Sequence, residues 1–216
     1  YYSMSDFMDF FDLHCDTLTE CMDDGDSLLK NERDIDFERG SIFGRWNQVF
    51  AVFVPDSMDD SLVEGYFDSA CDFYFDELKK KGDVFPILSS EDVRGHSRGV
   101  MLAMESSRGV GSLERLEKLY ERGLRLITLT WNHKNRAAGG CDEGGGLTDW
   151  GRELVSKMEK LGIVTDVAHL SDRSFYDLCE FSDAPFIASH SDARAVHNEV
   201  RSLTDEQIKI IIERGG

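Results

Sequence analysis

Short apolar runs alternate with amphipathic segments through the whole of this 216-residue chain. The runs are Phe11–Cys15, Val49–Val54, Val84–Leu88, Val100–Met104, Leu126–Thr130, Gly162–Val167 and Phe186–Ser189. Several are apolar throughout rather than alternating, the pattern of strands covered on both faces. Between them lie helical periodicities. Leu147, Trp150, Leu154, Met158 and Leu161 recur at i+3/i+4 spacing, with Gly162 placed to end that helix. Ser61–Lys81 and Ser112–Arg122 read as two more helices, closed by Gly82 and Gly123. Ser171 opens another, with Asp172 favourable to the dipole in its first turn. Thr204-Asp205-Glu206-Gln207 has the capping-box pattern and opens the last. Strand–helix alternation of this kind implies βα units and a parallel sheet.

Several of the runs end in a residue that can bind a metal. His14-Cys15-Asp16 closes the first, Glu105 follows Val100–Met104, His169 follows Ile163–Ala168, and His190 follows Phe186–Ser189. Functional side chains at the carboxyl ends of several strands favour a closed TIM-type (β/α)8 barrel over an open sheet. Such a barrel takes about 250 residues. The chain is therefore expected to form a single barrel domain over 1–216 that lacks the last one or two βα units. The charged stretch Asp23–Arg39 is expected to be an excursion on the rim.

Net charge is −18, from 42 acidic and 24 basic residues. That balance argues against nucleic acid, which calls for a basic footprint, and against an anionic membrane surface. No run approaches the ~18 apolar residues of a membrane span, and Tyr1–Asp6 has neither a basic nor an apolar leader region. The five cysteines are scattered, with no Cys-x-x-Cys pair, which disfavours a thiolate zinc site and fits reduced thiols in a cytoplasmic protein. Cys15, between two candidate ligands, would point to the opposite strand face and reads as core packing.

In a strand, positions i and i+2 share a face, so His14 and Asp16 can reach one metal; the plain alternative is a histidine hydrogen-bonded to a nearby carboxylate. His169 and His190 are separated by one predicted helix, which lets adjacent strand ends bring them together. Glu105 ends an apolar strand, a costly place for a carboxylate unless it is paired or bound to a cation; otherwise it is a surface residue just past the strand. Together these five would make two divalent sites sharing one carboxylate. Nitrogen and oxygen ligands suit zinc, with manganese or cobalt possible. Two such ions ~3.5–4 Å apart can hold a bridging hydroxide and polarise a carbonyl, which is hydrolytic chemistry.

The ordered segments Asp12-Leu13-His14-Cys15-Asp16-Thr17, Gln48–Phe53, Leu126–Asn132, Gly146–Gly151, Asp166–Ser171, Pro185–Ser191 and Arg201–Asp205 resemble the membrane (renal) dipeptidases, the zinc dipeptidases of the amidohydrolase-like barrels (peptidase family M19). The resemblance implies a binuclear zinc centre with His14, Asp16 and Glu105 on one ion and Glu105, His169 and His190 on the other, acting on dipeptides. It implies that Arg201 binds the substrate carboxylate, and it suggests a homodimer. Trp131 stands where mammalian members carry a substrate-contacting histidine; it is a candidate pocket wall, and His133 a candidate substitute. Members carry a catalytic aspartate in a Gly-x-Asp-x-Asp-Gly context on the last strand. No such motif occurs here, and its residues are expected beyond Gly216. Two other readings stay open: another amidohydrolase-type metal hydrolase, acting on a lactone, cyclic amide or nucleobase, and a non-catalytic binding remnant.

Overall fold

The computed structural model describes residues 8–216; the Tyr1–Asp6 stretch, read above for a leader, lies outside them. Six strands, all parallel, make one sheet: β1 (Asp9–Asp12), β2 (Arg45–Phe53), β3 (Phe85–Pro86), β4 (Arg98–Glu105), β5 (Leu124–Thr128) and β6 (Val164–Asp166), in the order β1-β2-β4-β5-β6, with β3 also on β4. The helices are α1 (Thr17–Asp24), α2 (Phe37–Gly40), α3 (Asp60–Lys80), α4 (Asp92–Gly95), α5 (Leu113–Glu121), α6 (Asp149–Leu161), α7 (Asp172–Phe181) and α8 (Asp205–Glu213).

The helix boundaries follow local chemistry. The side chains of Asp59, Ser112, Thr148 and Ser171 each accept a backbone N–H at a helix start, which satisfies donors that the first turn leaves free. Thr204 and Gln207 form the full capping box expected of them. Gly162 closes α6 in the left-handed region, φ 78°, where a glycine carries no Cβ penalty.

The sheet separates two apolar layers. Phe50, Val52, Leu102, Met104 and Ile127 pack outward against helix residues such as Phe67, Tyr74, Leu116, Leu154 and Phe175. Val49, Ala51, Ala103 and Leu126 face the other way and meet Leu13, Met101, Val164 and Ile187. No helix residue belongs to this second cluster, so it fills the concave side. Leu13 follows the first strand in the order and Ile187 lies beyond the last, where it bridges Asp166 in parallel. Their shared cluster shows that the sheet curls toward a barrel.

Three local expectations are corrected. Val84–Leu88 shrinks to Phe85–Pro86, because β5 takes over the same edge of β4 from Leu102 onward and Pro86 has no N–H to extend a ladder. Phe186–Ser189 contributes a single bridge rather than a strand. Asp16 is not in a strand: it is the N-cap residue of α1. The acidic excursion is anchored rather than loose, since buried Glu77 of α3 accepts from the Leu28 N–H at 2.9 Å and the Ser27 hydroxyl at 2.5 Å, and Leu28 and Phe37 enter the core.

Candidate metal centre

Met101, Ala103 and Glu105 alternate along β4, and the first two face the concave side. Period-2 alternation puts the Glu105 carboxylate on that side at the carboxyl-end rim. It is only 2% exposed, so it cannot rely on water and needs partners. Three imidazoles supply them. His14 Nε2 lies 3.3 Å from one carboxylate oxygen, while His169 Nε2 and His190 Nε2 lie 3.1 and 3.5 Å from the other. Asp16 Oδ1 sits 3.4 Å from His14 Nε2. The rings of His14 and His190 are 3.8 Å apart, although they come from opposite ends of the sheet order. The curl of the sheet is what makes them neighbours.

Each arm is built differently. His14 follows β1; the chain there still bonds to β2 (Cys15 N–H to Val49 O, Ala51 N–H to Cys15 O) and then turns into α1. Asp16 offers its backbone carbonyl to Thr19 and Glu20, and its side chain caps nothing. The carboxylate is thus free to turn to His14, so it is the strand-to-helix turn, not strand periodicity, that pairs them. Cys15 packs among the outward core residues.

His169 has φ 65°, an uncommon conformation for a residue with a Cβ and one found disproportionately at functional sites. Its carbonyl is fixed by the Cys141 N–H at 2.9 Å and the Thr130 hydroxyl at 3.2 Å. Its Nδ1 donates to Asn132 Oδ1 at 2.8 Å, which leaves the Nε2 lone pair aimed at Glu105. Trp131 packs edge-to-face against Phe53 (5.1 Å) and stands 6.2 Å from the His169 ring, beside the site.

The electrostatics suit a cation. Burial disfavours charge on His14, but its hydrogen bonds to Asp16 and Glu105 outweigh that and raise its pKa to about 10. Burial pushes Glu105 up, yet the hydrogen bond from His14 and its charge more than offset it and leave the carboxyl well below the ordinary range. Burial, then the His14 charge, holds His190 down at about 3. Positive charge is welcome beside Glu105, and the cluster admits little of it on His190. His14 Nε2, Glu105 and His190 offer ligand atoms that all lie within 4.8 Å of one another. Three nitrogens and carboxylate oxygens with no thiolate are the donor set of zinc and its neighbours.

Arg201 Nη2 donates to the His190 carbonyl at 2.8 Å, which brings the guanidinium to the rim beside the cluster. His133 is not brought there: its Nδ1 pairs with Asp56 Oδ2 at 2.6 Å, and its side chain is 48% exposed on an outer cleft. Sequence reasoning had not singled out Asn132, Asp166 or Ser189. Asp166 is a buried carboxylate at a strand end, the same signal that drew attention to Glu105.

The family model for membrane dipeptidases, peptidase family M19, matches residues 4–216. The chain belongs to the membrane dipeptidase family. Among curated relatives, an uncharacterized protein from the pqqA 5' region of Klebsiella pneumoniae is 32% identical over 142 residues, covering 60% of this chain and 52% of its own length. Another, from the PQQ-III 3' region of Acinetobacter calcoaceticus, is 31% identical over 136 residues, 58% of this chain and 43% of that protein. The chain thus spans about half the length of these relatives. Among solved structures, the metallo peptidase dipeptidase AC of family M19 superposes with TM-score 0.86 at 24% identity over 96% of this chain and 70% of that one. A metallo peptidase from Rhodobacter sphaeroides, liganded with a phosphinate mimic of L-Ala-D-Ala, gives 0.84 at 22% identity over 97% and 72%. At these identities the likeness concerns the fold: this M19 chain forms part of a TIM-type barrel. Among the described residues no helix is long and apolar enough to cross a membrane.

Proposed function

We propose that the protein is a metallo-dipeptidase whose centre is the Glu105 cluster. His14, Asp16 and Glu105 would hold one divalent ion and Glu105, His169 and His190 a second, zinc being the metal this donor set suits. Bound there, two such ions supply an activated water and polarise a carbonyl oxygen. The chain's own residues do the rest. Glu105 shares its two oxygens between the His14 side and the His169/His190 side. Arg201, tied to the His190 carbonyl through one nitrogen, keeps further donors in a planar fork for the C-terminal carboxylate of a dipeptide. Trp131, packed on Phe53, would wall the site beside His169. The aspartate expected to move the proton belongs to a motif that residues 1–216 do not contain.

The observation that carries this reading is three imidazole Nε2 atoms converging on one buried carboxylate. The related peptidase caught with a dipeptide mimic supports the choice of substrate. Elemental analysis of the whole protein, beside hydrolysis of dipeptides, lactones and cyclic amides before and after chelation, tests it. The expected result is bound divalent metal, dipeptide turnover lost to the chelator and restored by zinc. Metal-free protein with chelator-insensitive turnover, or preference for a lactone, would refute it.

A further inference from the structure

Asp166 is fully buried at the end of β6, and every lone-pair direction of its carboxylate is in use. Oδ1 accepts the backbone N–H groups of Ala168 and Ser189, each at 3.0 Å. Oδ2 accepts the hydroxyls of Thr128 and Ser189, each at 2.6 Å. The same Ser189 oxygen lies 2.8 Å from His190 Nδ1. A serine hydroxyl has one proton to give. The short contact to a carboxylate oxygen, which here only accepts, takes that proton. The proton between Ser189 Oγ and His190 must then be the imidazole's own, on Nδ1. Nε2 is left with its lone pair, aimed at Glu105 Oε1 (3.5 Å) and at His169 Nε2 (2.9 Å). Asn132 imposes the same choice on His169. Two nitrogen lone pairs and a carboxylate oxygen therefore face one another with no proton among them, an arrangement that a divalent cation satisfies.

We infer that Asp166, acting through the Ser189 hydroxyl, is a positioning pair that sets the tautomer and ring orientation of His190 for metal binding. The inference rests on the proposed metal centre. Through Thr128, Asp166 itself and Ser189, the one carboxylate also ties the ends of β5 and β6 to the segment that bridges β6 at Ile187, so the ring is referenced to the scaffold. Outer partners of this kind typically govern metal affinity by 10–100-fold.

The test uses the whole protein, with zinc as the probe, and reads affinity by chelator competition and the His190 tautomer by long-range 1H–15N NMR in the zinc-free state. Wild type should show Nδ1–H on His190. Ser189→Ala keeps the backbone bond from Ser189 N–H to Asp166, so the fold persists; it should mix the tautomers and weaken zinc about 10–100-fold. Ser189→Thr should restore both. Asp166→Asn should go further: its amide would donate to Ser189 Oγ, turn the hydroxyl proton toward His190 Nδ1, and invert the tautomer to Nε2–H. Ser189→Ala with wild-type zinc affinity, or Nε2–H on His190 in the wild type, would overturn the inference and leave the metal centre standing. Wild type that takes up no zinc would remove the metal centre, and the tautomer arm would then decide on the Asp166–Ser189 pair by itself.

Discussion

The two arms of the Glu105 cluster are held to different standards. On the His169/His190 side every imidazole has an outer partner: Asn132 for one ring, Ser189 backed by Asp166 for the other. The His169 backbone is pinned as well, at Cys141 and Thr130. On the His14/Asp16 side, His14 Nδ1 is buried and has no hydrogen-bond partner among the described residues, and the Asp16 side chain is 47% exposed. The first arm is oriented from behind, by the scaffold. The side chains of the second, whose backbone is held by β2 and α1, are oriented only from the front, by Glu105 and by each other. A ligand set held from behind is preorganised for its cation, whereas one held from the front becomes ordered through it.

That difference makes a ranked set of expectations. Glu105→Gln removes the group both arms share, and it should strip metal from both, lowering zinc affinity and dipeptide turnover by more than the roughly 100-fold reached by losing an outer partner; elemental analysis with kinetics checks this. His14→Ala acts on one arm. Chelator titration of the wild type should release metal in two phases, and His14→Ala should lack the more easily released one while keeping the other. Asn132→Ala should leave stoichiometry intact but weaken the tight phase about 10–100-fold, converting the well-supported arm into a likeness of the loose one. Arg201→Ala should leave both phases alone and raise KM for dipeptides by roughly 10-fold or more, the worth of hydrogen bonds between charged groups. A single release phase in the wild type would erase the comparison between the arms.

Much of the scaffold could be read from the residues themselves. β2 and β4 are apolar because both faces are covered, and Gly162, Ser171, Ser112 and Thr204 end or begin helices through local chemistry that does not depend on the fold. Glu105 could be read for the same reason, as a charge on a strand that has no water to turn to. What could not be read depends on distant partners. The pairing of β4 with β2 on one edge and with both β3 and β5 on the other is a competition between strands that no single run reveals. His133 turns outward because Asp56, 77 residues away, receives it. Asn132 reaches His169 across 37 residues, in a Gly-rich loop segment with no periodicity to read. Ser189 looked like an ordinary strand residue, and its role depends on Asp166 being brought beside it.

The central claim is that Glu105 is shared by two cations at the rim of the curled sheet. Anomalous diffraction at the zinc edge from crystals of the whole protein grown with zinc tests it most directly. The account predicts two peaks, one among His14, Asp16 and Glu105 and one among Glu105, His169 and His190. Peaks only at other sites, or none beside Glu105 at full zinc supply, would contradict it.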